Sequence, residues 1–402
     1  MKLAISLPLL LAGMFVPAHS PEISAEAKQY LDQALDLIQK NSIRQKTDWA
    51  SLRKHAYDQA ADAKSPADTY PAIRDALTAL GDHHSRLFSA AEFKTLSAGR
   101  LTNPGMECVG DIVVRVMPKG PAESAGLKAG MQIVSLNGQP YDPEKTPIRR
   151  MKEPFRLEAR EGDQPTKSYT VTPAEHLAVR PPSGRLIDGR YGYLDVPTFA
   201  GTEPEQLAYA QRIQDLIRSF DIKGLRGWIV DLRLNGGGNM WPMIAGLGPL
   251  YPAGDLGAFV DAAGQIDKWT YREGKCYQGR VLLASTPHPY VLTHPGLPIA
   301  VLIDQVTASS GEATAISFRG LANATSLGQP TFGVPTGNAP LPLSDGAVLN
   351  LCEVIDADRT GKTYDTKIPP DLIVETNWIH FNHPDDLAIQ AAIRWIKTRK
   401  KA

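Results

Sequence analysis

The chain has 402 residues, enough for two or three domains with cores of their own. Its 43 lysines and arginines balance its 43 aspartates and glutamates, so no bulk charge directs it to nucleic acid or to an anionic membrane. Three cysteines, Cys108, Cys276 and Cys352, allow at most one intramolecular disulfide and have no zinc-ligand spacing. They read as small buried hydrophobes.

The first 20 residues, "MKLAISLPLLLAGMFVPAHS", place Lys2 before an apolar run to Val16 and end in a small-x-small site, "AHS". That pattern predicts an export signal, with a buried N-terminal helix as the alternative. The run is too short for a good bilayer span. No cysteine follows it to carry a lipid, and no later stretch is long and apolar enough to cross a membrane. The expectation is a periplasmic or secreted protein without stable membrane insertion once the signal is removed.

Residues 21–100 read as helical. "SAEAKQYLDQALDLIQKNS" carries Ala27, Tyr30, Leu31, Ala34, Leu37 and Ile38 at helical spacing behind a capping serine. "DWASLRKHAYDQAADA" and "ADTYPAIRDALTALGD" repeat the pattern, the latter ending at Gly81. Residues 101–180 turn β-rich: "MQIVSLNG" ends in an Asn-Gly turn and "RLEAREGDQPTKSYTVTPAE" forms a hairpin. "RPPSG", 180–184, reads as a linker. Over 181–402 apolar strands alternate with helices, which predicts an α/β core whose sheet is buried by helices.

Two stretches in that core carry chemistry. "TASSGEATA", 307–315, follows the apolar strand "IAVLID" and opens a helix. A serine there is held between rigid elements, with backbone N–H groups and the helix dipole facing outward to meet an oxyanion. Ser followed three residues later by Glu is also a capping box, so the string alone leaves nucleophile and cap both open. "DLRLNGGGN", 231–239, runs a strand into three glycines whose N–H groups lie uncovered. It suits an oxyanion hole, or else a plain turn; it lacks the spacing of a nucleotide-binding loop.

In order, "LGDHHSRLF", "GYLDVPTF", "VDLRLNGGG", "TASSGEA" and "IPPDLIV" resemble the C-terminal-processing (tail-specific) serine peptidase family over nearly the whole mature chain. The resemblance implies a ClpP/crotonase-like α/β core, an N-terminal helical region and an inserted PDZ-like module. It also implies hydrolysis of peptide bonds in unfolded proteins or peptides, with no cofactor and no metal. The family nucleophile precedes the motif glutamate by three residues, which is Ser309, with Ser310 as the alternative. The oxyanion donors implied are the amides of Ser310 and Gly237.

The base departs from the commonest pattern. Many members use a lysine in a "T-x-G-K-G" turn; here "QPTFGVPTG" puts Val334 at that position. A branch that resembles the tricorn core protease instead uses a histidine in "D-x-H-S/T", matched by Asp82, His84 and Ser85, with His83 as a fallback. The orienting acid implied is Asp365 in "KTYDTKIPPDLIV", and Asp371 is read as structural. "KGPAESAGLKAGMQIVSLNG" resembles a PDZ module, whose carboxylate nest would lie at Gly105 and Met106, with Glu107 placed against it. The alternative function is a non-catalytic peptide- or hydrophobic-ligand-binding protein on the same scaffold.

Overall fold

The computed structural model describes residues 22–97, 100–177 and 180–399; the expected export signal lies outside them. Among the described residues, no helix is long and apolar enough to cross a membrane.

The helices Ala25–Asn41, Trp49–Gln59 and Tyr70–Ala79 form as their patterns predict. Ser24 Oγ accepts from Ala27 N–H and caps the first, and Gly81 leaves the third with φ 68°. Leu35, not Leu37, completes the buried stripe of the first helix; Leu37 is only partly covered. This helical layer packs on Leu87, Leu349 and Leu351. Leu87 belongs to the short strand Arg86–Phe88, which pairs antiparallel with the long strand Val348–Asp358. Thus the loop at residues 82–85 is tied to the C-terminal half of the chain.

A separate β-rich module follows. Strands Met106–Val109, Ile112–Val116, Gln132–Leu136, Phe155–Arg160 and Lys167–Val171 form its sheet around Val113, Ile133 and Leu157. The predicted Asn-Gly turn is present, with Asn137 at φ 50° and Gly138 at φ 78°. The predicted hairpin is the Phe155–Arg160 and Lys167–Val171 pair.

The central sheet has six strands: Ser183–Ile187, Tyr191–Asp195, Gly227–Asp231, Ile299–Ile303, Ala324–Gly328 and Leu372–Ile373. All but the first pair run parallel. Side chains alternate between two cores. Trp228, Val230 and Val301 face the helices Glu203–Phe220 and Met240–Leu247; Ile229, Ala300 and Leu302 face the helix Leu387–Lys397. Residues 180–184 are not a free linker. Ser183 and Gly184 begin the edge strand, and Arg180 makes two bonds to Asp195, one of 2.8 Å. A second, eight-stranded sheet is built from 254–285 and 336–364 with the Arg86–Phe88 strand at one edge. The alternating strand-helix reading of the core does not contain it.

Candidate active site

Two neighbouring parallel strands, Gly227–Asp231 and Ile299–Ile303, end side by side, and their C-terminal loops build the site. Asp304 ties them together, accepting from Thr307 N–H at 2.8 Å and Leu234 N–H at 3.2 Å. Thr307 Oγ1 donates to Leu232 O at 2.9 Å, and Ala308 N–H donates to Asn235 O at 2.9 Å. The small residues of both motifs follow from this contact. A Cβ on Gly311 would stand 2.4 Å from Asn235 O, and one on Gly237 would stand 2.8 Å from Ser309 Cβ.

Ser309 occupies the junction of strand and helix with φ 53° and ψ −119°. A non-glycine residue there stores about 1–3 kcal/mol of strain and persists only where its surroundings hold it. Glu312 does the holding. Its carboxylate accepts from Ser309 N–H at 2.8 Å, Val334 N–H and Gly333 N–H at 3.0 Å, and Thr331 Oγ1. Burial pushes the Glu312 carboxyl above its usual range, against the pull of those four donors. Ser310 differs from its neighbour: its Oγ donates to Gly238 O at 2.6 Å, which commits that proton to a main-chain carbonyl.

The amides expected at the oxyanion divide. Ser310 N opens the helix and lies 3.1 Å from where a Gly237 Cβ would be. Gly237 N–H, in contrast, donates to Asn235 Oδ1 at 2.9 Å. The loop glycine is therefore against the serine as expected, but its donor is held by a side chain of its own loop.

His84 arrives from the other half of the molecule. Asp82 Oδ1 accepts from the N–H groups of His84 and Ser85, both at 2.8 Å, and shapes the turn. Ser85 Oγ accepts from Cys352 N–H at 3.0 Å, and Asn338 Nδ2 donates to His84 O at 3.1 Å. The imidazole Nδ1 meets Thr336 Oγ1 at 2.6 Å. Thr336 lies two residues beyond Val334, whose amide shares Glu312 Oε2 with the Ser309 amide, so the two halves converge on one short segment. In the tautomer with Nδ1–H donating to Thr336, Nε2 carries the lone pair that accepts a proton. Burial lowers the His84 pKa to about 4.

Two expectations need correction. Asp365 does not meet the imidazole: it is exposed and makes no hydrogen bond among the described residues, and the Nδ1 partner is the hydroxyl of Thr336. The stretch 365–367 stays on the surface because only Tyr364 and Ile368 beside it are buried. The nest at Gly105 and Met106 is closed. Gly105 N–H donates to Asn103 Oδ1 at 2.8 Å, Met106 is buried in the module core, and Glu107 pairs with Arg115 at 2.7 Å. Asp371 is structural as read, accepting from Ser326 N–H at 2.8 Å. Val334 is buried and offers no basic group; Lys367 passes over Gly333 with its aliphatic stem. Thr336 and Asn235 carry no spacing signal that would have marked them in the sequence, although both fall inside quoted motifs. The three cysteines are unpaired; Cys276 and Cys352 are buried, and Cys108 is only partly covered.

The family model for peptidase family S41 matches residues 190–374. The nisin-resistance protein of Lactococcus lactis subsp. lactis is 33% identical over 216 residues, 54% of this chain and 63% of that protein; this match thus leaves over a third of the relative uncovered. A carboxyl-terminal-processing protease of Synechocystis sp. is 24% identical over 97% of this chain and 92% of its own. A lipoprotein structure from Streptococcus agalactiae shares the fold, with TM-score 0.60 and 21% identity over 94% of this chain and 98% of that one. The matched region runs from the Tyr191–Asp195 strand through both loops of the site to the edge of the central sheet, so the part of the chain that builds the site is similar to peptidase family S41.

Proposed function

We propose that the protein is an exported serine peptidase that hydrolyses peptide bonds in unfolded proteins or peptides. Ser309 is the nucleophile and His84 the base. The observation that carries this reading is the pair of serines: Ser309 is strained and clamped through Glu312, whereas the Ser310 hydroxyl already donates a hydrogen bond to Gly238 O. His84 takes the Ser309 proton on Nε2 while Thr336 fixes the ring through Nδ1. The Ser310 amide receives the oxyanion charge, joined by Gly237 N–H once Asn235 Oδ1 releases it. The peptide class follows the relatives named for carboxyl-terminal processing and for nisin resistance. In the same reading the middle part, 101–180, is a PDZ-like module that feeds chains to a ClpP/crotonase-like core over 181–402, beside a helical region over 21–100.

The test is labelling with a fluorophosphonate and cleavage of a denatured protein. Ser309→Ala loses both signals while Ser310→Ala keeps most labelling. Label found on Ser310, or on neither serine of a folded protein, refutes the assignment. The second reading, a binding protein on this scaffold, draws on the occupied Gly237 amide and the absence of a carboxylate within ion-pair distance of His84 among the described residues. It requires no label and tight peptide binding.

A further inference from the structure

We propose that the cleft beside His84 is a substrate subsite that reads a carboxylate through Arg86. This rests on the peptidase reading above and names what that site selects.

The cleft holds about 620 Å³ between the helix Tyr70–Ala79, the strand Arg86–Phe88 and the loop carrying Phe332 to Val334. It touches both halves of the site. His83 and Ser85, which flank the base, line one side; Val334, whose amide shares Glu312 with Ser309, lines the other. A substrate bound across the Ser309 and His84 pair therefore has this volume beside it.

The lining has a definite chemistry. Leu77, Leu87, Phe332 and Val334 make an apolar wall, and Arg74 and Arg86 are its charged groups; no acidic residue lines it. Phe332 is 53% exposed, a large aromatic surface left for a ligand to cover. Arg74 already has an acidic partner, Glu92, at 3.2 Å. Arg86 has none among the described residues: its Nη1 donates to Ser85 O at 2.8 Å and its Nη2 to His83 O at 3.1 Å. Two carbonyls of the catalytic turn thus fix the guanidinium, and a guanidinium has five N–H groups, so three remain. A planar cation of fixed direction with spare donors and no counter-ion fits a carboxylate. Against an apolar wall, the occupant is an apolar residue next to a carboxylate. A free C-terminus supplies that chemistry, and so does an internal Asp or Glu.

The experiment uses the full chain and a set of ten-residue peptides with apolar C-terminal residues. Each is made as free acid and as C-terminal amide, and each with an internal Glu or Gln, with cleavage mapped by mass spectrometry. For the best-cleaved sequence, wild type prefers one carboxylate form about tenfold or more in kcat/KM, the worth of a charge-assisted hydrogen bond. The acid-amide pair and the Glu-Gln pair separate the two sources. Arg86→Gln removes the preference through KM with kcat little changed, Arg86→Lys restores part of it, and Arg74→Gln has the smaller effect. Thermal melting confirms that each variant is folded. An unchanged preference in Arg86→Gln, or none in wild type, overturns the proposal. Should wild type cleave no peptide, the peptidase reading fails by itself. Fluorescence anisotropy with the same labelled peptides on Ser309→Ala then decides the subsite: carboxylate-dependent binding lost in Ser309→Ala/Arg86→Gln sustains it, and equal or absent binding overturns it.

Discussion

Two buried titratable side chains set what pH does to this molecule. His84 is held neutral by burial, with its pKa lowered to about 4 from 6.5. The acid limb of kcat/KM is expected near pH 4 rather than near 6–7, where an unperturbed imidazole would place it. The stability sign agrees. Between pH 6.5 and 4 the unfolded chain binds the proton that the folded chain refuses, so stability falls by a few kcal/mol as pH drops through that window. Rate profiles paired with urea unfolding at each pH check this, and an acid limb at 6–7 with intact fold would contradict it. Asp356 behaves oppositely. Neither carboxyl oxygen has a hydrogen-bond partner, and burial, with Glu312 nearby, pushes its pKa far up. The folded chain keeps a proton that the unfolded chain has lost, so stability declines as pH rises above the ordinary carboxyl range. Asp356→Asn lessens that slope, leaving the part of the same sign that Glu312 contributes, and a stability–pH curve identical to wild type would show the carboxyl to be ionised in place.

At the scale of elements, the site is a contact between two loops, and glycine decides how closely they meet. Gly237 has φ 104°, and a Cβ there would strike Ser309 Cβ at 2.8 Å and Ala308 O at 2.9 Å. Gly236, one residue earlier, has only Thr198 Oγ1 at 3.7 Å in its way. Gly237→Ala should cost about 1–3 kcal/mol of stability and at least a hundredfold in labelling rate. Gly236→Ala should stay within about 1 kcal/mol. Equal tolerance at both positions would mean that the loops are not packed as described.

At the scale of the whole molecule, one buried arginine joins the central sheet to the C-terminal helix. Arg233 makes bonds of 2.7 Å to Asp231 and of 2.8 and 3.0 Å to Asp386, the cap of the helix Leu387–Lys397. Its side chain is fully buried. Arg233→Ala strands two carboxylates and is expected to cost roughly 3–5 kcal/mol by urea unfolding; a loss under 1 kcal/mol would show the helix to be held by its apolar face alone. The sequence placed Arg233 in a motif without revealing this role, because its partner lies 153 positions away. The same distance effect governs what was legible. Helices with a 3.6-residue stripe, fully apolar parallel strands and the Asn-Gly hairpin were readable because their signals are local. The eight-stranded sheet was not, since its strands pair across 86 to 350 and alternate only weakly. The strand-to-helix junction that holds Ser309 was readable because its signal is a short local motif. Thr336 and the exposed position of Asp365 depended on where a distant turn would dock.

That docking has a temporal side. His84 is seated by Thr336, Asn338 and Cys352, the first of them 252 positions downstream. Ribosomal synthesis delivers the chain N-terminus first. For most of its passage the emerging polypeptide carries its histidine turn with nothing to hold it, and it carries Ser309 before the segment that clamps Glu312 has followed. Catalysis, on the proposed function, begins only after the last long strand has emerged and folded back. On the proposed function, the nascent chain, itself an unfolded polypeptide, meets no finished active site on incomplete copies of itself.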